Sequence, residues 1–137
     1  MDELREATGV FRTTLRLDTP GDTFPVVAES LGPGAMSIQG PAPFDLRQTA
    51  TFQFLEREQR ILVQDDCTED PAPPRELIEH YGVGSQMLAP LLRDGRLVGI
   101  ISVHHAAEPR KWGAEEVAAL ERAAERVQRE LARSTGT

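Results

Sequence analysis

The sequence predicts an α+β domain, a central antiparallel sheet of about five or six strands with helices packed on it. Three stretches carry that expectation. Two apolar runs, Ser85 to Leu92 and Arg96 to His105, flank Arg93-Asp94-Gly95, and an Asp-Gly turn between such runs signals a hairpin. Phe11 to Leu17 alternates large apolar and polar side chains as a strand does. Between Ala114 and Arg133, the residues Val117, Leu120, Ala124, Val127 and Leu131 recur at helical steps and make one apolar stripe.

In chain order, Asp2 to Ala7 suits a short helical turn, and Phe11 to Leu17 reads as a strand with one wet face. The turn-forming Asp18-Thr19-Pro20-Gly21-Asp22 leads into the apolar run Phe24 to Glu29, so the first two strands form a hairpin. Gly32 to Pro43 carries three prolines and three glycines. That density forbids a regular element and suits a loop over the sheet, one wall of a pocket. Between Asp45 and Glu58, Leu46, Ala50 and Phe54 mark a helix, with Phe52 and Leu55 off that spacing, and Ile61-Leu62-Val63 gives a short buried strand. The acidic, proline-rich Asp65 to Pro74 precedes a helix over Arg75 to Tyr81, where Pro73-Pro74 sits at the first turn and Gly82 at the end. The terminal helix opens with Glu115 and Glu116 and closes near Arg129 and Arg133, charges that complement its dipole. Its stripe either covers the sheet or is shared with a helix of a second subunit, since the spacing also fits a heptad.

Composition narrows the function. The 137 residues read as a single domain from 1 to 137, and a hydrophobic share of 39% against 27% charged is that of a chain able to bury a core. Twenty-two acidic against 15 basic residues give a charge of −7, which repels phosphate backbones, so nucleic acid is not an expected partner. No apolar run approaches the ~20 residues of a membrane span, and Met1 to Glu6 lacks the apolar core of a signal peptide. A cytoplasmic protein is expected. Cys67, the one cysteine, forms no internal disulfide and cannot alone hold zinc. His80, His104 and His105 make a poor metal site, because adjacent strand histidines point to opposite faces. The acidic run Asp65 to Asp70 lacks the spacing of a calcium loop. Nucleophile-elbow, phosphate-loop and zinc-protease motifs are all missing from the sequence, and a non-enzyme is expected.

The stretch from Tyr81-Gly82-Val83-Gly84-Ser85 through Leu97-Val98-Gly99-Ile100-Ile101-Ser102-Val103-His104-His105 resembles the late hairpin of GAF domains. Trp112-Gly113-Ala114-Glu115-Glu116-Val117 is similar to the loop and acidic helix start that follow it in that family, and Ile61-Leu62-Val63-Gln64-Asp65-Asp66 to an earlier strand and acidic turn. The resemblance implies helices on one face of the sheet and a loop- and helix-covered pocket on the other. Within the family, Tyr81-Gly82-Val83, His104-His105 and Pro109-Arg110-Lys111-Trp112 look most like the phytochrome-like group. There the first of the two histidines borders a linear tetrapyrrole, which singles out His104. That group usually carries a histidine, often beside a chromophore-bearing cysteine, where this chain has Pro73 and Pro74. Cys67 lies several residues too early, among acidic groups that discourage a thiolate, so a covalent bilin is not expected. A GAF-like group that reduces methionine sulfoxide recycles one cysteine with a second, a cycle that Cys67 alone does not complete.

Strand alternation then assigns faces. Val98, Ile100, Ser102 and His104 share one face of their strand, Leu97, Ile101, Val103 and His105 the other, and the resemblance turns the first set toward the pocket. Gln86, Leu88 and Pro90 join it from the partner strand. The candidate ligand-binding residues are His104, Ser102, Gln86, Leu88 and Ile100, a few polar groups among apolar ones. Two functions fit. One is a sensor that binds an unidentified small molecule non-covalently and relays through the terminal helix to an output domain in a longer protein. The other is a ligand-free interaction module that homodimerises through that helix. Phe44, Phe52 and Phe54 plugging the cavity favour the second, a polar-lined void around His104 the first.

Overall fold

The computed structural model describes residues 1–18, 24–38, 46–69, 78–79, 82–106 and 110–135. Helix α1 (Asp2–Thr8) leads into β1 (Arg12–Leu17), which pairs antiparallel with β2 (Val26–Leu31). A 3-10 turn (Leu46–Gln48) and α2 (Ala50–Glu58) precede the short strand β3 (Leu62–Gln64). The long hairpin of β4 (Val83–Arg93) and β5 (Arg96–Ala106) follows, and the terminal helix α3 (Ala114–Thr135) closes the described chain. Asp94 and Gly95 both take positive φ, 52° and 78°, as a two-residue hairpin turn matching the strand twist requires. The five strands form one antiparallel sheet in the order β2-β1-β5-β4-β3.

Each face of the sheet carries its own core. Met87, Ala89 and Leu91 of β4 and Ile101 and Val103 of β5 pack under α1 and α3, with Leu4, Trp112 and Leu120. On the opposite face Leu88, Leu97 and Ile100 pack beneath α2 with Phe24, Leu46, Phe52, Leu55 and Leu62. Successive strand residues thus feed different cores, which explains why β4 is buried almost throughout. Trp112 pins the start of α3 to the sheet edge: its indole N–H donates to the Gln64 carbonyl at 3.0 Å and its backbone N–H to Asp65 Oδ1 at 3.0 Å.

The structure departs from the sequence expectations at four places. The polar side of β1 is not wet, for Arg12, Thr14 and Arg16 are all buried, because β1 lies inside the sheet and α2 and its neighbouring segments cover that face. The helical stripe around residue 50 is out of phase: Thr51, Phe52 and Leu55 face the core and Ala50 faces solvent. Thr49 caps α2 at that point, its hydroxyl accepting from the Phe52 N–H, so the turn holding Leu46 and the helix are separate elements. In β5 the pairing slips where Leu91 faces Gly99 and Leu92 faces Leu97. This bulge at Val98 moves Leu97 to the α2 side and Val98 to the α3 side, the reverse of simple alternation. Finally, Val63 of the edge strand β3 is exposed while its neighbours are buried.

Among the described residues no helix is long and apolar enough to cross a membrane. Most of the expected helix at 75–81, the loop residues 39–43, the turn residues 19–22, and Phe44, His80 and Pro109 lie outside the described residues.

Candidate functional site

Register places polar side chains in a row across four strands. Arg12 of β1 lies opposite His104 of β5, His104 opposite Gln86 of β4, and Gln86 opposite Gln64 of β3. All four are buried. The next rung toward the hairpin turn is Thr14, Ser102, Leu88 and Leu62, and the one beyond brings Arg16 beside Ile100. The α2 face of the sheet therefore combines the polar row at His104 with the apolar Leu88 and Ile100, Arg16 lying beside Ile100.

Burying such groups costs several kcal/mol unless each is hydrogen-bonded, on the order of 2–7 kcal/mol per neutral group left unpaired. Most of the polar atoms here meet that demand through one another and through loop carbonyls. Gln86 donates from Nε2 to Gln64 Oε1 at 2.7 Å, and Gln64 donates from its own Nε2 to the Glu69 carbonyl at 2.9 Å. The hydroxyls of Thr14 and Ser102 bond each other. Arg16 donates to the Phe24 carbonyl at 2.7 Å and Arg12 to the Met36 carbonyl at 2.7 Å. A second nitrogen of Arg12 stands 3.4 Å from His104 Nδ1.

A cavity of about 50 Å³ opens over this surface. Its floor is Arg16, Gln86, Leu88, Ile100, Ser102 and His104; Leu46, Thr51 and Phe52 roof it, and Ile78 and Val83 close one end. All five residues selected from the sequence, His104, Ser102, Gln86, Leu88 and Ile100, line this one space. Pro90 and Val98 do not, Val98 because the bulge turns it to the other core. Of the phenylalanines, Phe52 lines the roof and Phe54 packs at the edge of the core without reaching the cavity.

Electrostatics set the state of the site. Burial lowers the His104 pKa well below the ordinary histidine range, and the positive charges of Arg12 and Arg16 lower it further. The imidazole is neutral at pH 7. His105, on the opposite face, is also lowered, first by burial and then by Arg110, with Glu116 acting the other way. The two histidines diverge, and among the described residues no cluster of three metal-ligating side chains forms. Cys67 is buried away from the cavity, its backbone N–H donating to the Gly84 carbonyl at 3.0 Å. Its thiol is pushed up to about 12, chiefly by burial and then by the Asp66 charge.

The two buried arginines are the functional candidates that sequence reasoning missed. Arg12 and Arg16 sit on the side of β1 that alternation marks as polar. Only the sheet order, which sets β1 against β5, shows that this side faces His104.

The fold and site thus define an α+β domain with helices on one face of an antiparallel sheet and a small, partly polar cavity on the other. The chain belongs to the GAF domain family, which matches residues 1–131. In structure it is similar to the cyanobacteriochrome receptor PixJ, at 22% identity over 95% of this chain and 88% of that chain, with a TM-score of 0.78. A PixJ GAF domain from Thermosynechococcus elongatus, in its blue-light absorbing form, matches at 20% identity over 94% of this chain and 80% of that chain, with a TM-score of 0.73. The chromophore-binding domain of the Stigmatella aurantiaca bacteriophytochrome matches at 21% identity over 96% of this chain, with a TM-score of 0.77. The chain spans about half of that domain, 51% of its length. No curated protein matches the chain in sequence.

Proposed function

We propose that this GAF domain is a regulatory sensor, not an enzyme, that holds a small molecule non-covalently over His104, Ser102, Gln86, Leu88 and Ile100 and passes the change to α3. The observation that carries this reading is the convergence of a buried polar row and an apolar floor on a single cavity. Its similarity in fold to cyanobacteriochrome and bacteriophytochrome domains supports a signalling role. A route to α3 runs through β3: the Gln64 side chain binds Gln86 at the cavity, while the Gln64 carbonyl accepts from Trp112 at the head of α3.

Cys67 favours a non-covalent ligand over an attached bilin. Cys67 is buried, does not line the cavity and keeps its proton at neutral pH. The cavity, at about 50 Å³, is also far below the ~300–1,000 Å³ of sites for drug-sized ligands. A ligand of a few heavy atoms suits a cavity of this size, and a larger one requires more room than Leu46, Thr51 and Phe52 leave over the sheet.

A second reading rests on the other face. A groove of about 930 Å³ runs between α1 and α3, floored by Leu15 and Leu17 and edged by Ala123, Val127 and Leu131, with Glu3, Arg122, Arg126 and Glu130 on its rim. A rim carrying both signs of charge allows acidic and basic groups to meet across a two-fold axis, so a second copy of this chain is the occupant proposed, giving a homodimer. Native mass spectrometry of the protein purified from its own host separates the readings. A retained small molecule, lost in His104→Ala, is the expected result for the sensor. A dimer carrying no added mass moves the assignment to a ligand-free interaction module.

A further inference from the structure

Residues 110 to 112 are bonded to the sheet edge beside the cavity. The Arg110 N–H donates to Ser85 Oγ at 2.8 Å and to the Asp65 carbonyl at 3.2 Å, and Trp112 donates to the Gln64 carbonyl and to Asp65 Oδ1. Each of these bonds ends on, or next to, the Gln86 and Gln64 pair, whose side chains bond each other at the cavity. The Arg110 side chain reaches the other way. Its Nη1 donates to the Thr8 carbonyl at 3.3 Å, at the C-terminal end of α1, and its Nη2 to Glu116 Oε2 in the first turn of α3. We propose that Arg110 is a positioning residue that couples the cavity to the groove between α1 and α3, clasping the ends of both helices to the strands at the cavity wall. The inference rests on the cavity being the working site, as proposed above.

The chemistry of the clasp suits that role. The last carbonyls of a helix lack partners within it and attract a cation, and a carboxylate is favoured in a first turn. Arg110 and Glu116 supply those charges. The second oxygen of Glu116 accepts the Gly113 N–H at 2.9 Å, as the acidic residue of a capping box does. The guanidinium also lies 4.6 Å over the Trp112 ring. Its planar fork holds two acceptors at a fixed spacing, which a flexible ammonium does not. Arg126 and Glu3 also bridge the helices, at 3.4 Å, but both are largely exposed on the groove rim, away from the sheet edge. A displacement of Gln86 therefore moves Gln64 and residues 110 to 112, and Arg110 delivers it to α1 and α3, the two walls of the groove. Occupancy of the cavity and of the groove then alter each other by the same factor.

The test is ¹H–¹⁵N NMR of the ligand-free protein with Gln86→Met as the perturbation, a side chain of similar shape without the amide. The readouts are the indole N–H of Trp112, the one tryptophan of the chain, and the amides of Leu4 to Thr8 and Ala119 to Ala123 along the groove. Gln86→Met is expected to shift the indole and both sets of helix amides. Added to Arg110→Met, the same change is expected to shift the indole but no longer the helix amides. Arg110→Lys, which keeps the charge without the fork, is expected to lose the helix response as well. Helix amides that ignore Gln86→Met in an otherwise wild-type chain overturn the proposal. So does a helix response of unchanged size in folded Arg110→Met, the result of a purely structural Arg110. In wild type the indole N–H is expected to exchange slowly in deuterated water, and exchange as fast as an exposed indole overturns the proposal even if every variant fails to fold. Because no ligand is used, failure here leaves the sensor reading standing, and failure to find a bound molecule leaves the coupling standing.

Discussion

Gln128 of α3 pairs with the backbone of Leu92 in β4 as an extra strand would: its Nε2 donates to the Leu92 carbonyl at 2.6 Å and its Oε1 accepts from the Leu92 N–H at 2.9 Å. The contact lies where the register between β4 and β5 slips, between Leu91 and Leu92. One side chain thereby anchors the second half of α3 to the sheet. Gln128→Ala removes both bonds, and with a net value of ~0.5–1.5 kcal/mol per hydrogen bond the expected loss is about 1–3 kcal/mol. Urea denaturation reads it directly. By contrast Arg126→Ala, which breaks a largely exposed pair with Glu3, is expected to cost less than ~1 kcal/mol.

Gly99 sits beneath β1 with no room for a side chain. A Cβ there would stand 2.6 Å from the Arg16 carbonyl oxygen and 2.9 Å from a methyl of Leu17. The first is backbone and cannot rotate away. Gly99→Ala should therefore push β1 from β5 and cost at least the ~1–3 kcal/mol typical of overpacking. Thermal unfolding checks the loss, and a stability equal to wild type would falsify the close approach.

Acid should weaken the fold through His104. Its folded pKa lies below the unfolded value of about 6.5, so the unfolded chain binds more protons as pH falls. Stability is fully present above that unfolded value and declines as pH drops toward the folded one. His105 shifts in the same direction and adds to the slope. Unfolding midpoints from pH 7.5 downward are expected to fall less steeply in His104→Gln than in wild type, where the pH values are roughly those spanning the histidine range. Parallel curves would mean that His104 titrates normally.

Cys67 behaves as a buried apolar group, not a reactive thiol. With its pKa raised from 9.0 to about 12, the native thiol should resist thiol-specific reagents at neutral pH and react only on unfolding. The same shift makes stability fall as pH rises above the unfolded value and toward the folded one. Reagent labelling with and without urea tests the first point. The second is tested by whether Cys67→Ala flattens the alkaline loss.

Local chemistry made much of the domain legible in the sequence. The Asp94-Gly95 turn, the two long strands it joins, the terminal helix, and the shared face of Ile100, Ser102 and His104 follow from φ preferences and side-chain alternation, which act between residues close in the chain. Family resemblance added the side of the sheet on which a cavity lies, and all five selected residues line it. The errors were of another kind. A cap at Thr49 reset the phase of α2, and a bulge at Val98 reversed two side chains in β5, each a single local event that breaks an otherwise regular period.

By itself the sequence determined most of the strands and helices among the described residues, and that Ile100, Ser102 and His104 of β5 look the same way, because those properties are set by neighbours in the chain. Only the tertiary structure decided that β1 inserts beside β5. That choice buries Arg12 against His104, two residues separated by 92 positions, and sets Arg16 into the lining of the cavity beside Ile100. Strand order depends on which distant surfaces fit together once both faces must be buried, and no local pattern around Arg12 encodes that partner.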